Sequence, residues 1–245
     1  MAYRELPPPE ALAPQVCCLW WSTGAGTRVL PDGCADIVWT GSRLIVAGPA
    51  TRAVIPDLPP RETRVGLRFR VGAASLGLGL PAAELRNLSV PLADVWPDGA
   101  ELSERVGEAL DSRGRLELLA RAVAGRLNDA PDPDPLIREA VHELARPRAR
   151  VELVGRRLAI SERQLRRRFE ATVGYSPRTL ARVLRLQRFL RLAQRGETDL
   201  AWLAADAGYA DQPHLTRDCS DLAGIPAAAL LSAGAGPAGE RLVLR

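Results

Sequence analysis

The sequence of 245 residues predicts an α+β protein, β-rich in its N-terminal half with helices following, then all-α to near its end. Three observations predict this. Short apolar alternations broken by Pro, Gly and Asp fill the first part of the chain, and from Glu101 the apolar spacing lengthens to three and four. Beyond a Pro/Asp-rich stretch, one helical pattern occurs twice.

The composition, 47% hydrophobic and 25% charged, lies in the globular range and leaves enough apolar residues for a real core. The uncharged stretch from Ala11 to Thr27 is broken by Pro14, Gly24 and Gly26 and falls short of the roughly 20 apolar residues of a bilayer helix. Met-Ala-Tyr-Arg-Glu at the N-terminus lacks the basic and apolar regions of a signal peptide. A cytoplasmic location and no membrane partner are therefore expected. The cysteines, including the adjacent pair Cys17 and Cys18, make neither a disulfide framework nor a C-x-x-C knuckle. His142 and His214 lie far from Cys17, Cys18 and Cys34 in sequence, so no metal site and no cofactor are expected.

Arg64 to Val71 sets Val65, Leu67, Phe69 and Val71 on one face and Arg64, Arg68 and Arg70 on the other, the pattern of a half-buried strand. Cys17–Trp21, Ala35–Thr40 and Arg43–Ala47 are further strands, separated by the turn signals Pro31-Asp32-Gly33 and Thr40-Gly41-Ser42. Leu102, Val106 and Leu110, then Leu116, Leu119, Val123 and Leu127, predict two amphipathic helices. The alternating prolines of 129–135 disfavour helix and predict a linker. The expected organisation is a β-rich sensing or dimerisation domain over 1–128, this linker, a helical domain over 136–232 and a tail over 233–245.

Charge is concentrated in one block: residues 146–195 hold fifteen Arg against three acids, a balance of +12 in a chain whose net charge is +4. The same region begins the repeat. Ser161, Leu165, Arg167 and Gly174 recur fifty residues on as Asp211, Leu215, Arg217 and Gly224, while Val151, Val154 and Gly155 recur forty-nine residues on as Leu200, Leu203 and Ala204.

In the first copy, Val151 to Ala159 forms a short helix. Ser161 with Gln164 is a capping box, and Ile160 with Leu165 has the spacing of a hydrophobic staple. Leu165, Phe169 and Val173 share one face, so Arg163, Arg166 and Arg167 project from another. A short helix, a tight turn and a second helix with cations near its N-terminus is the form of a helix-turn-helix, whose second helix enters the major groove of double-stranded DNA. A guanidinium there can grip guanine O6 and N7 together, for about 1–3 kcal/mol of discrimination. From Ser176 to about Arg195 a helix of roughly 30 Å joins the copies, close to the roughly 34 Å between successive major grooves. Its Arg178 and Arg182 are candidate phosphate contacts. In the second copy Asp211 caps the helix and Gln212, Thr216 and Arg217 face outward, while Asp218 and Asp221 are expected to repel phosphate.

Residues 136–232 resemble the twin helix-turn-helix domain of AraC/XylS-type transcriptional regulators. The resemblance is carried by Ser161-Glu-Arg-Gln-Leu-Arg-Arg-Arg-Phe169, Gly174-Tyr-Ser-Pro177 and Gly208-Tyr-Ala-Asp-Gln-Pro-His-Leu-Thr-Arg217. It implies that Arg163, Arg166 and Arg167 read bases in one groove and Pro213, Thr216 and Arg217 in the next. The sequence departs from the family pattern at Ala159, where glycine is usual, at Asp218 and Cys219, and at Gly224-Ile-Pro-Ala227. Arg28 to Trp39, with Val46-Ala-Gly-Pro49, is similar to an N-terminal domain found on a branch of these regulators.

These observations imply a non-enzymatic regulator that binds double-stranded DNA, with RNA polymerase a partner if it activates. Trp20, Cys34, Asp36 and Trp39 are the candidate residues for a small-molecule effector, and Asp36, a carboxylate in an apolar strand, needs either an arginine or a cationic ligand. The leucines of 101–128 suit a homodimer or packing on the β-domain. The alternatives are a thiol- or metal-responsive regulator using Cys17, Cys18 and Cys34, and a DNA-repair methyl acceptor sharing the helical domain.

Overall fold

The computed structural model describes residues 2–23, 28–56 and 63–235. The N-terminal half is a six-stranded antiparallel sheet in the order β1-β2-β5-β3-β4-β6. Its strands are β1 (Ala2–Leu6), β2 (Val16–Thr23), β3 (Asp36–Trp39), β4 (Leu44–Ala47), β5 (Thr63–Phe69) and β6 (Ser89–Pro91). The four strands expected from alternation are β2 to β5. The edge strands β1 and β6 were not expected, and neither has the run of β-branched residues that signals a strand.

One sheet face carries Val16, Leu19, Ile37, Trp39, Leu44, Val46, Val65, Leu67 and Phe69, all buried in one core. The residues of β2 alternate from there only because the pairing shifts between Val16 and Cys18, which sends Cys18 and Trp20 to the other face. After the short α1 (Ala74–Leu78), helices α2 (Gly99–Glu108) and α3 (Ser112–Asn128) cover the core face. Leu102, Val106, Leu116, Leu119 and Val123 all point into that core. The leucine periodicity is thus used within the chain; Leu110, expected to continue it, is fully exposed just after α2.

The other sheet face differs from the expected half-buried pattern, because Arg64 and Arg68 are themselves buried. Trp20 sits opposite Gly66, and a methyl group on Gly66 would fall 2.4 Å from the indole. The missing side chain is what lets the ring lie flat on the sheet.

Residues 129–134 form no helix or strand, and α4 (Pro135–Leu144) starts with Asp134 accepting from the Leu136 amide at 3.0 Å and Pro135 in the first turn. The helices that follow are α5 (Val151–Arg157), α6 (Glu162–Thr172), α7 (Pro177–Gln194), α8 (Leu200–Ala207), α9 (Gln212–Ala223) and α10 (Ala227–Ala235). They build two cores around α7. Leu180 and Ala181 pack with Val154, Leu165 and Phe169 of α5 and α6. Val183, Leu186, Phe189 and Leu190 pack with Leu203, Leu215, Cys219 and Leu222 of α8 and α9. Among the described residues no helix is long and apolar enough to cross a membrane. The expected tail, 233–245, lies from residue 236 onward outside the described residues.

The sheet half and the helical half are packed together. Leu30, 2% exposed, lies in the core formed by α7, α8 and α9. The buried Gln187 of α7 donates to the Pro31 carbonyl at 2.7 Å. The expected linker is likewise held at its end, Asp134 pairing with Arg168 of α6 at 3.1 Å.

Candidate nucleic-acid interface

The two repeats adopt the same local form. The Ser161 hydroxyl accepts from the Gln164 amide, and the Gln164 side chain accepts from the Ser161 amide, so the expected capping box closes the start of α6. In the second copy Asp211 accepts from the His214 amide at 2.7 Å at the start of α9. Equivalent turns precede these caps. Gly208 has φ 91°, and Ala159, forty-nine residues earlier, has φ 50°. Both are left-handed, a conformation natural for glycine and strained for alanine.

Leu165 and Phe169 bury one side of α6 and leave Arg163, Arg166 and Arg167 exposed. Among the described residues Arg163 and Arg167 have no protein partner, whereas Arg166 donates to Glu170 at 2.9 Å. On α9, Gln212, Pro213 and Arg217 are exposed and Thr216 is half-buried. Arg217 has no protein partner among the described residues. Between the two helices α7 runs for 18 residues, about 27 Å.

Two expectations about charge are corrected. Asp218 does not face outward; it is buried, and Arg182 reaches it at 2.8 Å, Arg185 at 3.5 Å and His214 at 3.9 Å. Arg182 also binds Asp221 at 2.7 Å. The two acids expected to repel phosphate instead tie α9 to α7, and Arg182, expected to contact phosphate, is occupied by them. The reason is the 3.6-residue turn of α9, which puts position 218, three after Leu215 and four before Leu222, on the same side as both. Arg178 stays largely exposed, 3.9 Å from Glu152.

Sequence reasoning missed Leu153 on α5 and Trp202 on α8, both about half exposed. They too are forty-nine residues apart, so the repeat offset was the signal that would have found them.

The four candidate effector residues do not share one site. Trp39 lies in the core on the sheet face opposite Trp20, as strand alternation from Asp36 requires, with the Arg115 guanidinium 5.8 Å from its ring centre. Trp20, Asp36 and Cys34 do cluster, but around an internal arginine. The Trp20 indole N–H donates to Asp36 at 2.6 Å, Arg68 binds Asp36 at 3.1 Å, and Asp32 and Glu5 stand 3.5 and 3.8 Å from Arg68. The partner that Asp36 needed is thus Arg68. Burial raises the Asp36 pKa against the pull of Arg68. Burial and then Asp32 push the Cys34 thiol well above its ordinary value, the opposite of an activated thiolate. The thiol of Cys219 is pushed up to about 12, again by burial. Tyr175, between α6 and α7, brings its hydroxyl against the same turn: a methyl group on Gly33 would lie 3.5 Å from it. Among the described residues no group of three or more His, Cys, Asp or Glu could hold a metal ion. A cleft of about 320 Å³ lies elsewhere, between α2 and α3, lined by Asp98, Glu101, Leu102, Arg105, Leu118, Arg121 and Ala122.

Two stretches of the chain match known families. Residues 154–233 match the family described as "Helix-turn-helix domain". Residues 4–91 match "Domain of unknown function (DUF6597)". No curated protein matches the chain. Among solved structures, an apo variant of ToxT from Vibrio cholerae is 15% identical, with 94% of this chain and 96% of that one covered at a TM-score of 0.45. Wild-type ToxT with a bound unsaturated fatty acid is 12% identical, with 89% and 95% covered at a TM-score of 0.44.

Two stability changes follow. Ala159→Gly relieves the left-handed strain, partly offset by the extra freedom of glycine in the unfolded chain, and is expected to raise stability by about 1 kcal/mol in urea unfolding; a loss would contradict the turn geometry. Arg68→Met leaves Asp32 and Asp36 without their buried guanidinium and is expected to cost about 3–5 kcal/mol at neutral pH. The folded-state pKa of Asp36 is raised, and further so without Arg68, so the stability it contributes is present at acid pH and is lost as pH rises through that value. The deficit of Arg68→Met should therefore shrink toward acid and grow toward neutrality. Unfolding curves of both proteins across pH check this; a pH-independent deficit would count against the buried network.

Proposed function

We propose that the chain is a sequence-specific transcriptional regulator that binds double-stranded DNA through α6 and α9 in successive major grooves. The observation that carries this reading is the pair of capped helices, one on each side of α7, whose N-terminal turns expose Arg163 and Arg167 on one and Gln212, Pro213 and Arg217 on the other. Arg166 and Thr216 belong to the same two surfaces. Arg178 supplies phosphate contact, while Arg182 serves by fixing α9 to α7. Leu153 and Trp202, on the helices that cross the backbone, lie against deoxyribose.

In this reading the protein has two parts, divided at 129–135, and works as a regulator in the cytoplasm rather than as an enzyme. The N-terminal part is a sensing or dimerisation unit. Sensing is favoured by the cleft between α2 and α3, whose Asp98, Glu101, Arg105 and Arg121 suit a small polar molecule, since the leucines that suggested a dimer are used against the sheet. RNA polymerase is a partner where the protein activates. Against a methyl acceptor or thiol sensor that uses Cys34 or Cys219, burial pushes both thiols up, away from an activated thiolate.

Selection of bound fragments from random DNA at stated salt tests the reading, and variants of the full chain then sort the contacts. Arg167→Ala is expected to lose about 1–3 kcal/mol of discrimination at one base position. Arg178→Ala should weaken every sequence alike and lower the salt slope by about 1. Equal losses on all sequences for both variants would contradict direct reading by Arg167.

A further inference from the structure

We propose that Arg28 and the backbone at Ala53, both in the sheet domain, position the second reading helix by closing its C-terminal end. This inference rests on the regulator reading above. The last four carbonyls of a helix have no partner inside it. On α9 the Ser220 carbonyl is satisfied by the Gly224 amide at 3.1 Å, within the same motif. The next two partners come from the other half of the protein. The Leu222 carbonyl accepts from the Ala53 amide at 2.6 Å, and the Ala223 carbonyl accepts from Arg28 Nη1 at 3.0 Å.

Arg28 also supplies what α9 lacks. The negative end of a helix dipole favours a cation, and α9 has no basic residue in its last turn. Gly224, with φ 71°, makes room for it: a methyl group there would come within 3.3 Å of Arg28 Nη1.

Arg28 and Ala53 act as one clamp because their neighbours pair. Val29 and Val54 exchange backbone hydrogen bonds at 2.8 and 2.9 Å. Directly after them, Leu30 is buried among Leu186, Phe189 and Leu222, and Pro31 accepts from Gln187 of α7. The clamp is therefore fixed to the rod and to the reading helix together.

The first copy is built differently. There the C-terminal Phe169 carbonyl accepts from the Val173 and Gly174 amides at 2.7 and 3.2 Å, both from its own motif. The sheet domain meets that end through close packing: a methyl group on Gly174 would lie 2.5 Å from Pro49. Control of α9 by Arg28 should thus affect one half of the operator and not the other.

The test uses the full chain, the DNA found by selection, and the variants Arg28→Ala and Arg28→Lys. The α9 half-site is the half at which Arg217→Ala loses discrimination. Arg28→Ala is expected to bind the intact operator about tenfold more weakly, yet to match the wild type on an operator whose α9 half is scrambled; Arg28→Lys should restore most of the loss. Hydrogen exchange without DNA should quicken severalfold over 218–224 in Arg28→Ala and stay unchanged over 163–172. Equal weakening on both operators, or unchanged exchange at the end of α9, would overturn the inference. Should the wild type select no DNA at all, the regulator reading falls, and the exchange measurement still decides whether Arg28 holds the helix end.

Discussion

The structure depends on one helix having two buried sides. Leu180 and Ala181 of α7 complete the core of the first motif, and Val183, Leu186, Phe189 and Leu190 complete that of the second. Burying one such side chain stabilises by about 1.5–3 kcal/mol, so neither motif keeps its core without the rod. The same packing fixes where the two reading helices stand relative to each other. α7 is about 27 Å long, and the two motif cores follow one another along it, at Leu180–Ala181 and at Val183–Leu190; in the proposed regulator this shared helix sets the spacing of the two reading helices.

Charge is divided along the same lines. Arg182 and Arg185 look from sequence like part of a cationic surface, yet both bind the buried Asp218 and hold α9 to α7. Arg163, Arg167 and Arg217 have no such duty and remain exposed. The sheet half keeps its own buried charge in a separate network around Arg68, adjoining the helical half through the turn at Gly33 and Tyr175. The N-terminal half is thereby packed onto the helical half, touching α7 through Leu30 and Pro31 and α9 through Arg28 and Ala53.

Local signals were legible in the sequence wherever a rule of neighbouring residues decides the outcome. The capping box at Ser161, the strand of Val65, Leu67 and Phe69, the break in helix after Asn128 and the need of Asp36 for a cation all follow from residues a few positions apart or from one residue's chemistry. The turn residue Ala159 was legible too, because the pattern of the family that the helical half resembles has glycine at that place. What was not legible depends on distant parts of the chain meeting. Arg64 and Arg68 read as the wet side of a strand, since nothing nearby shows that this face is buried. Trp39 reads as a neighbour of Trp20 until strand order places them on opposite faces. Leu30, between a glycine-rich stretch and a turn, carries no periodicity that would send it into the core of the other half.

The geometry of α7 can be tested by changing the spacing of the DNA instead of the protein. With the selected operator in hand, about five base pairs, half a helical turn, are inserted between the two contacted segments, and affinity is measured at fixed salt. The account predicts that affinity falls to that of a single half-site and largely returns when about ten base pairs are inserted only if α7 can yield, which its two packed sides should prevent. Affinity that is unchanged by the half-turn insertion would contradict a rigid rod holding two readers in register.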